Sequence, residues 1–60
     1  LPPKLSDEEV NKILDEAFSL VNPTSSKDMG KIMKEVSSKV AGRADMSVVS
    51  TLIRDRLNNL

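Results

Sequence analysis

Three blocks of apolar residues at helical spacing, separated by two helix-stopping pairs, dominate what this chain can fold into. Val10, Ile13, Leu14, Ala17, Phe18 and Val21 recur at i, i+3, i+4, i+7, i+8 and i+11, which lines one face of an α-helix. Met29, Ile32, Met33, Val36 and Val40 repeat that spacing, and Val49, Leu52, Ile53, Leu57 and Leu60 do so again, helped by Val48. No segment carries a strand signal, and no repeat or low-complexity tract interrupts the pattern. The expected fold class is all-α, a compact three-helix domain with short connections around one shared core.

Punctuation sets the expected boundaries. Residues 1–5 form an extended lead-in through Pro2 and Pro3. Ser6 and Glu9 are spaced as a capping box, with Leu5 and Val10 as a hydrophobic staple and Asp7, Glu8 and Glu9 at the positive end of the helix dipole. The first helix is predicted over about 6–21, where Asn22-Pro23 ends it because a residue before proline is driven from the helical region. The second is predicted over about 25–41, with Thr24 to Ser26 as candidate caps and Ser25 with Asp28 as a capping-box variant. Gly42 is placed as a left-handed C-terminal residue and Lys39 suits the last turn. Asp45 then caps a third helix over about 46–58. Phe18, Ile13, Ile32, Met33, Val36, Leu52 and Ile53 are the side chains expected to be most buried.

At 60 residues the chain is one domain at most, and a domain this short buries only about 60% of its unfolded surface. Cysteine and histidine are both absent, which removes disulfides and thiolate zinc sites. No metal site and no cofactor is expected. No apolar run approaches the roughly 18 residues of a membrane span, so membrane insertion is not expected. The chain opens on Leu1 rather than methionine, which reads as a fragment or processed product from which any targeting segment could have been removed.

Net charge is zero but unevenly placed. Residues 1–26 hold two lysines against five carboxylates, a net of −3, whereas residues 27–44 hold five basic side chains against two acidic ones, a net of +3. At 100° per residue Lys27, Lys31 and Lys34 fall within about 60° of one another, nearly opposite the Met29–Ile32–Val36 stripe. They therefore point to solvent, where lysines commonly serve as a solvated face and where a basic strip can also meet an anion. Gly30 sits about 100° from the centre of that stripe and costs roughly 1 kcal/mol of helix stability relative to alanine. A close crossing of a neighbouring helix is its expected reason, and a close approach by a partner's backbone is the alternative.

Chemistry has few footholds here. The serines have no histidine or cysteine to activate them. Solvent-facing lysines keep a pKa too high to act as a base for a serine–lysine dyad. Asp15 and Glu16 are adjacent on a helix and face different ways, and two glycines twelve residues apart make no phosphate loop. No catalytic residue is assigned. A helix-turn-helix reading is disfavoured, because the would-be recognition helix starts Asp45-Met46-Ser47, without an Arg, Asn or Gln to read bases. Met29, Met33 and Met46 would suit an adaptor surface for a partner helix, although core filling accounts for them more simply.

Longer motifs carry a resemblance. "LPPKLSDEEV", "SSKDMGKIMKEV" and "VAGRAD" ahead of an apolar helix resemble the C-terminal half of YqeY-like proteins, and the tail of the GatB subunit of glutamine-dependent tRNA amidotransferase. Leu1, Pro2, Leu5, Ser6, Glu8 and Glu9 match the opening. Asp28, Met29, Gly30, Lys31 and Met33 match the DMGK core, with Ile32 for the usual valine. Gly42, Arg43, Ala44 and Asp45 match the turn, which departs from the family at Met46 and Ser47, where Gly-Lys is usual. The divergent turn and the "VNPTSS" loop suggest a fungal mitochondrial YqeY-like member. Mitochondria would be the location in a eukaryote, and the cytoplasm in a bacterium.

The resemblance implies a detached C-terminal helical domain, whose missing N-terminal part or an amidotransferase-like complex would be a partner. The GatB module belongs to the part that contacts tRNA during amidation of a mischarged aminoacyl-tRNA, so tRNA is the implied ligand. Lys27, Lys31, Lys34 and Arg43 would then contact phosphate, and Gly30 would let a backbone approach. With Phe18 as the only aromatic residue, no base-stacking platform is available. The functional expectation is a non-catalytic accessory domain, tRNA-binding or amidotransferase-related. The alternative is a protein-interaction or assembly adaptor without an RNA role.

Overall fold

The computed structural model describes residues 3–60. Leu1 and Pro2, the first residues of the expected lead-in, lie outside them. Helix α1 runs Asp7–Val21, a 3₁₀ turn covers Ser26–Asp28 and leads directly into α2 at Met29–Val40, and α3 spans Met46–Asn58. The all-α, three-helix expectation is therefore met, and the connections are short.

Helices α1 and α3, and the 3₁₀ turn ahead of α2, start where a side chain replaces a missing intrahelical acceptor. Ser6 caps α1, with Glu9 N–H donating to Ser6 Oγ at 3.1 Å and Ser6 N–H donating to Glu9 Oε1 at 3.0 Å. Asp45 caps α3 by accepting from Ser47 N–H at 2.9 Å and from Ser47 Oγ at 2.7 Å. The start of α2 differs from the expected Ser25–Asp28 box. Ser25 Oγ accepts from Lys27 N–H at 3.2 Å, while Asp28 reaches back four residues and accepts from Thr24 N–H at 2.8 Å. That exchange tightens the entry into a 3₁₀ turn.

Both connections leave their helix through left-handed backbone. Asn22 has φ 52° and Ala41 φ 49°, followed by Gly42 at φ 76°. Asn22 is thus excluded from the right-handed helical region as a residue before proline should be, but it goes left-handed, and its N–H still donates to Phe18 O at 2.8 Å. Gly42 occupies the conformation expected of it, with alanine taking the cap position just before.

Helix α2 is the central element and packs extensively on both α1 and α3, whereas α1 and α3 approach each other far less closely. Leu14, Ala17, Ile32, Val36, Val40, Val49 and Ile53 are essentially excluded from solvent, with Val10 and Leu57 nearly so. Ile32, Val36 and Ile53 were expected there. Ile13, Phe18, Met33 and Leu52 were expected too, but they are only partly buried and pack against the core from its edges. The reason is angular: Val10, Leu14, Ala17 and Val21 fall within about 60° on the helical wheel, and Ile13 and Phe18 flank that seam by about 70° on either side. The three methionines likewise pack against the core as partly buried side chains.

Gly30 corrects a third expectation. A Cβ built on it would meet nothing within 4 Å, and the residue is exposed. No helix crosses closely there, because α1 and α3 both lie against the apolar stripe and leave this flank of α2 uncovered. Replacing Gly30 by alanine should therefore stabilise the domain by about 1 kcal/mol through helix propensity alone. A thermal melt followed by circular dichroism checks the sign, and a lower melting temperature would contradict the open flank.

Candidate nucleic-acid interface

Of the five residues expected at an anion-binding surface, four lie along α2 and its entry. Lys27 sits in the 3₁₀ turn, and Gly30, Lys31 and Lys34 lie on the outer face of α2. All four are exposed. The Lys31 side chain retains 76% of its exposure despite an ion pair with Asp28 at 3.8 Å. That pair is long and solvated, so it restrains the lysine weakly. Lys39, in the last turn, is turned toward α1 and pairs with Glu16 at 3.6 Å.

Arg43 stands apart. It follows the far end of α2, and twelve residues at 1.5 Å each separate the two ends by about 18 Å. Its Nε donates to Pro3 O at 3.1 Å, and its carbonyl accepts from Leu5 N–H at 2.9 Å. Its own N–H donates to Val40 O at 3.0 Å. One residue thereby clasps the lead-in to the α2–α3 turn. The structure brings Lys27, Gly30, Lys31 and Lys34 together, and it sets Arg43 at the other end with a job inside the fold.

Most residues of the three motifs are likewise explained by folding. Leu5 packs against the core, Ser6 and Glu9 form the capping box, and Asp28 fastens the entry of α2. Gly42 supplies positive φ, Ala44 packs against the core, and Asp45 caps α3. Gly30 and Lys31 stand out from that set, because the open flank at Gly30 and the solvated Lys31 head contribute little to packing.

Three carboxylates are held below the usual carboxylate range. Glu9 is lowered mainly by the Ser6 backbone N–H and then by the Ser6 hydroxyl. Asp28 is lowered mainly by the Thr24 N–H, and Asp45 by the Ser47 hydroxyl followed by its N–H. Each is a helix-start fastener whose ionised form accepts these bonds more strongly than the neutral acid does. Their folded-state pKa values lie below the unfolded ones, so their stabilisation is complete above the unfolded values and is lost as pH falls through the folded ones. The melting temperature should stay nearly level from pH 7 to about 5 and fall below about pH 4. Asp45→Asn keeps a capping oxygen but cannot titrate, so its acid-side fall should be shallower than the parent's. An equal fall would remove Asp45 from the account.

Among the described residues no cluster of three or more acidic side chains is arranged to hold a metal ion, and no helix is long and apolar enough to cross a membrane. The outer face of α2 and its entry are exposed and carry Lys27, Lys31 and Lys34.

Comparison with known proteins gives this geometry a family. The chain is 38% identical to the E subunit of glutamyl-tRNA(Gln) amidotransferase from Thermococcus gammatolerans, over 93% of this chain and 10% of that protein. It is 42% identical to the protein of the same name from Saccharolobus solfataricus, over 95% of this chain and 8% of that protein. The chain therefore spans about a tenth or less of the length of these relatives. No solved structure is significantly similar. The family pattern described as Yqey-like protein matches residues 1–57, nearly the whole chain and all three motifs, and by that match the chain belongs to the YqeY-like family.

Proposed function

We propose that this YqeY-like domain is a non-catalytic accessory module of an amidotransferase-type system and that the outer face of α2 contacts the phosphate backbone of tRNA. The observation that carries the reading is the open, basic flank around Gly30. Lys31 and Lys34 project into solvent beside a position with no side chain, so a backbone can come close while two ammonium groups reach its phosphates. Lys27 extends the strip at the helix entry. Arg43 is a more distant contact at the far end of α2, its Nε already engaged by Pro3. Both relatives are named as components of a glutamyl-tRNA(Gln) amidotransferase, which makes tRNA the natural first ligand to test.

Such contacts position RNA without reading its sequence. Affinity should therefore be similar for different tRNAs and fall steeply with salt, because each phosphate neutralised releases condensed counterions. The test is a titration of the protein in its full native length against unfractionated tRNA at several salt concentrations. Undetectable or salt-independent binding would sink this reading. Leu20, Val48 and Leu60, which are large apolar side chains well exposed on the surface, would then favour the assembly adaptor.

A further inference from the structure

Because α1 and α3 both pack on α2 but stand off from each other, a furrow runs between them on the side of the domain opposite the lysine face. The two helices run in the same direction: Leu5, just before α1, bonds to Arg43, just before α3, and Asp15 of α1 meets Arg56 of α3 at 2.6 Å. At the N-terminal end the furrow opens into a cleft of about 510 Å³, with Leu5, Val10, Val48 and Leu52 among its lining residues. At the other end Phe18, Arg56 and Leu60 line a second hollow. The Asp15–Arg56 bridge, with the Arg56 guanidinium 5.6 Å from the Phe18 ring centre, spans the furrow and forms part of the wall of this second hollow. The two hollows lie at opposite ends of the furrow between α1 and α3.

The α3 wall of this groove is a stripe. Asp45, Val48, Leu52 and Arg56 fall within about 80° on the helical wheel, displaced by about 100° from the Val49–Ile53–Leu57 core line. Val48 remains 55% exposed, and Leu52 is only partly buried. The stripe is self-complementary when read against a reversed copy of itself. In an antiparallel pair, Val48 falls opposite Leu52 and Leu52 opposite Val48, while Asp45 falls opposite Arg56 at both ends. A two-fold axis across such a pair keeps equivalent flanks of the two helices together, so both opposite-charge contacts form on the same side of the seam. A parallel pairing would place Asp45 on Asp45 and Arg56 on Arg56.

We infer that the furrow seats α3 of a second copy of this chain, antiparallel about a two-fold axis, with Val48 and Leu52 as the apolar anchors and Asp45–Arg56 pairs closing both ends. Within each chain Oδ1 of Asp45 holds Ser47 and Nη1 of Arg56 holds Asp15. The intermolecular pair would use Oδ2 and Nη2. The groove lies away from Lys31 and Lys34, so a pair of chains would carry two basic faces outward. This assignment is independent of what those faces bind.

A contact confined to about three turns is at the small end of interface sizes, under about 1,200 Å². Self-association should therefore appear between about 10 µM and about 1 mM. Sedimentation equilibrium over that range should show the average mass rising from one chain toward two, and Val48→Arg should abolish the rise without lowering the melting temperature, since Val48 is mostly exposed. Orientation is tested by disulfide trapping, which the absence of native cysteine allows. An equimolar mixture of Val48→Cys and Leu52→Cys chains should give the mixed disulfide well above the statistical half. Homodisulfides in excess would overturn the antiparallel seat. A parent chain that stays monomeric throughout would overturn the proposal and leave the furrow to a helix from a different protein.

Discussion

Truncating Ile32 to alanine should remove about 3 kcal/mol of stability, within the range of roughly 2–5 kcal/mol for such core deletions. Ile32 is fully buried on α2, the helix that both neighbours pack against, so no single side chain can move in to fill the space. A domain of this length has a total stability of roughly 3–9 kcal/mol. The variant should therefore populate the unfolded state measurably in dilute buffer at room temperature, read as a urea midpoint shifted far toward zero. Ile13→Ala is the matched control, because Ile13 lies at the edge of the core seam. Its cost should be well under half that of Ile32. Equal losses at the two positions would show that the seam is drawn on the wrong residues.

The second large effect concerns the outer face of α2. Reversing Lys31 and Lys34 to glutamate together should weaken tRNA binding by the full-length protein by at least about tenfold. It should also reduce the log–log salt slope by about two, roughly one for each phosphate no longer neutralised. The melting temperature should hardly change, since both side chains are exposed and Lys31 gives up only a long, solvated pair with Asp28. The weakening should be uniform across tRNA species. Gly30→Ala adds a second readout on the same face: a variant that melts higher yet binds tRNA less well would locate the backbone approach at that position. Unchanged binding after the charge reversal would exclude the lysine strip.

How much of this was legible beforehand depends on the range of each interaction. The capping box at Ser6 and Glu9, the cap at Asp45 and the left-handed Gly42 are local devices, closed within three or four residues, and each could be read from spacing alone. The lysine strip was legible for the same reason, since helical phase fixes direction for any residue on a regular helix. Asp28 was read one residue short. Its carboxylate accepts from Thr24 N–H rather than completing a box with Ser25, whose hydroxyl accepts from Lys27 N–H instead.

Periodicity, together with side chains that cap their own backbone, is enough to set the number of helices, their approximate ends and the face each turns inward. Which flank of each face lies deepest, why Gly30 stays uncovered and what Arg43 does were settled only when the helices packed. Whether Leu14 or Phe18 sits at the centre depends on the positions of two neighbouring helices, a difference of some 70° that an apolar stripe leaves open. The Arg43 clasp on Pro3 and Leu5 closes across about forty residues, and no period within a helix encodes it. The furrow between α1 and α3 is likewise set by α2, whose central packing holds its two neighbours apart.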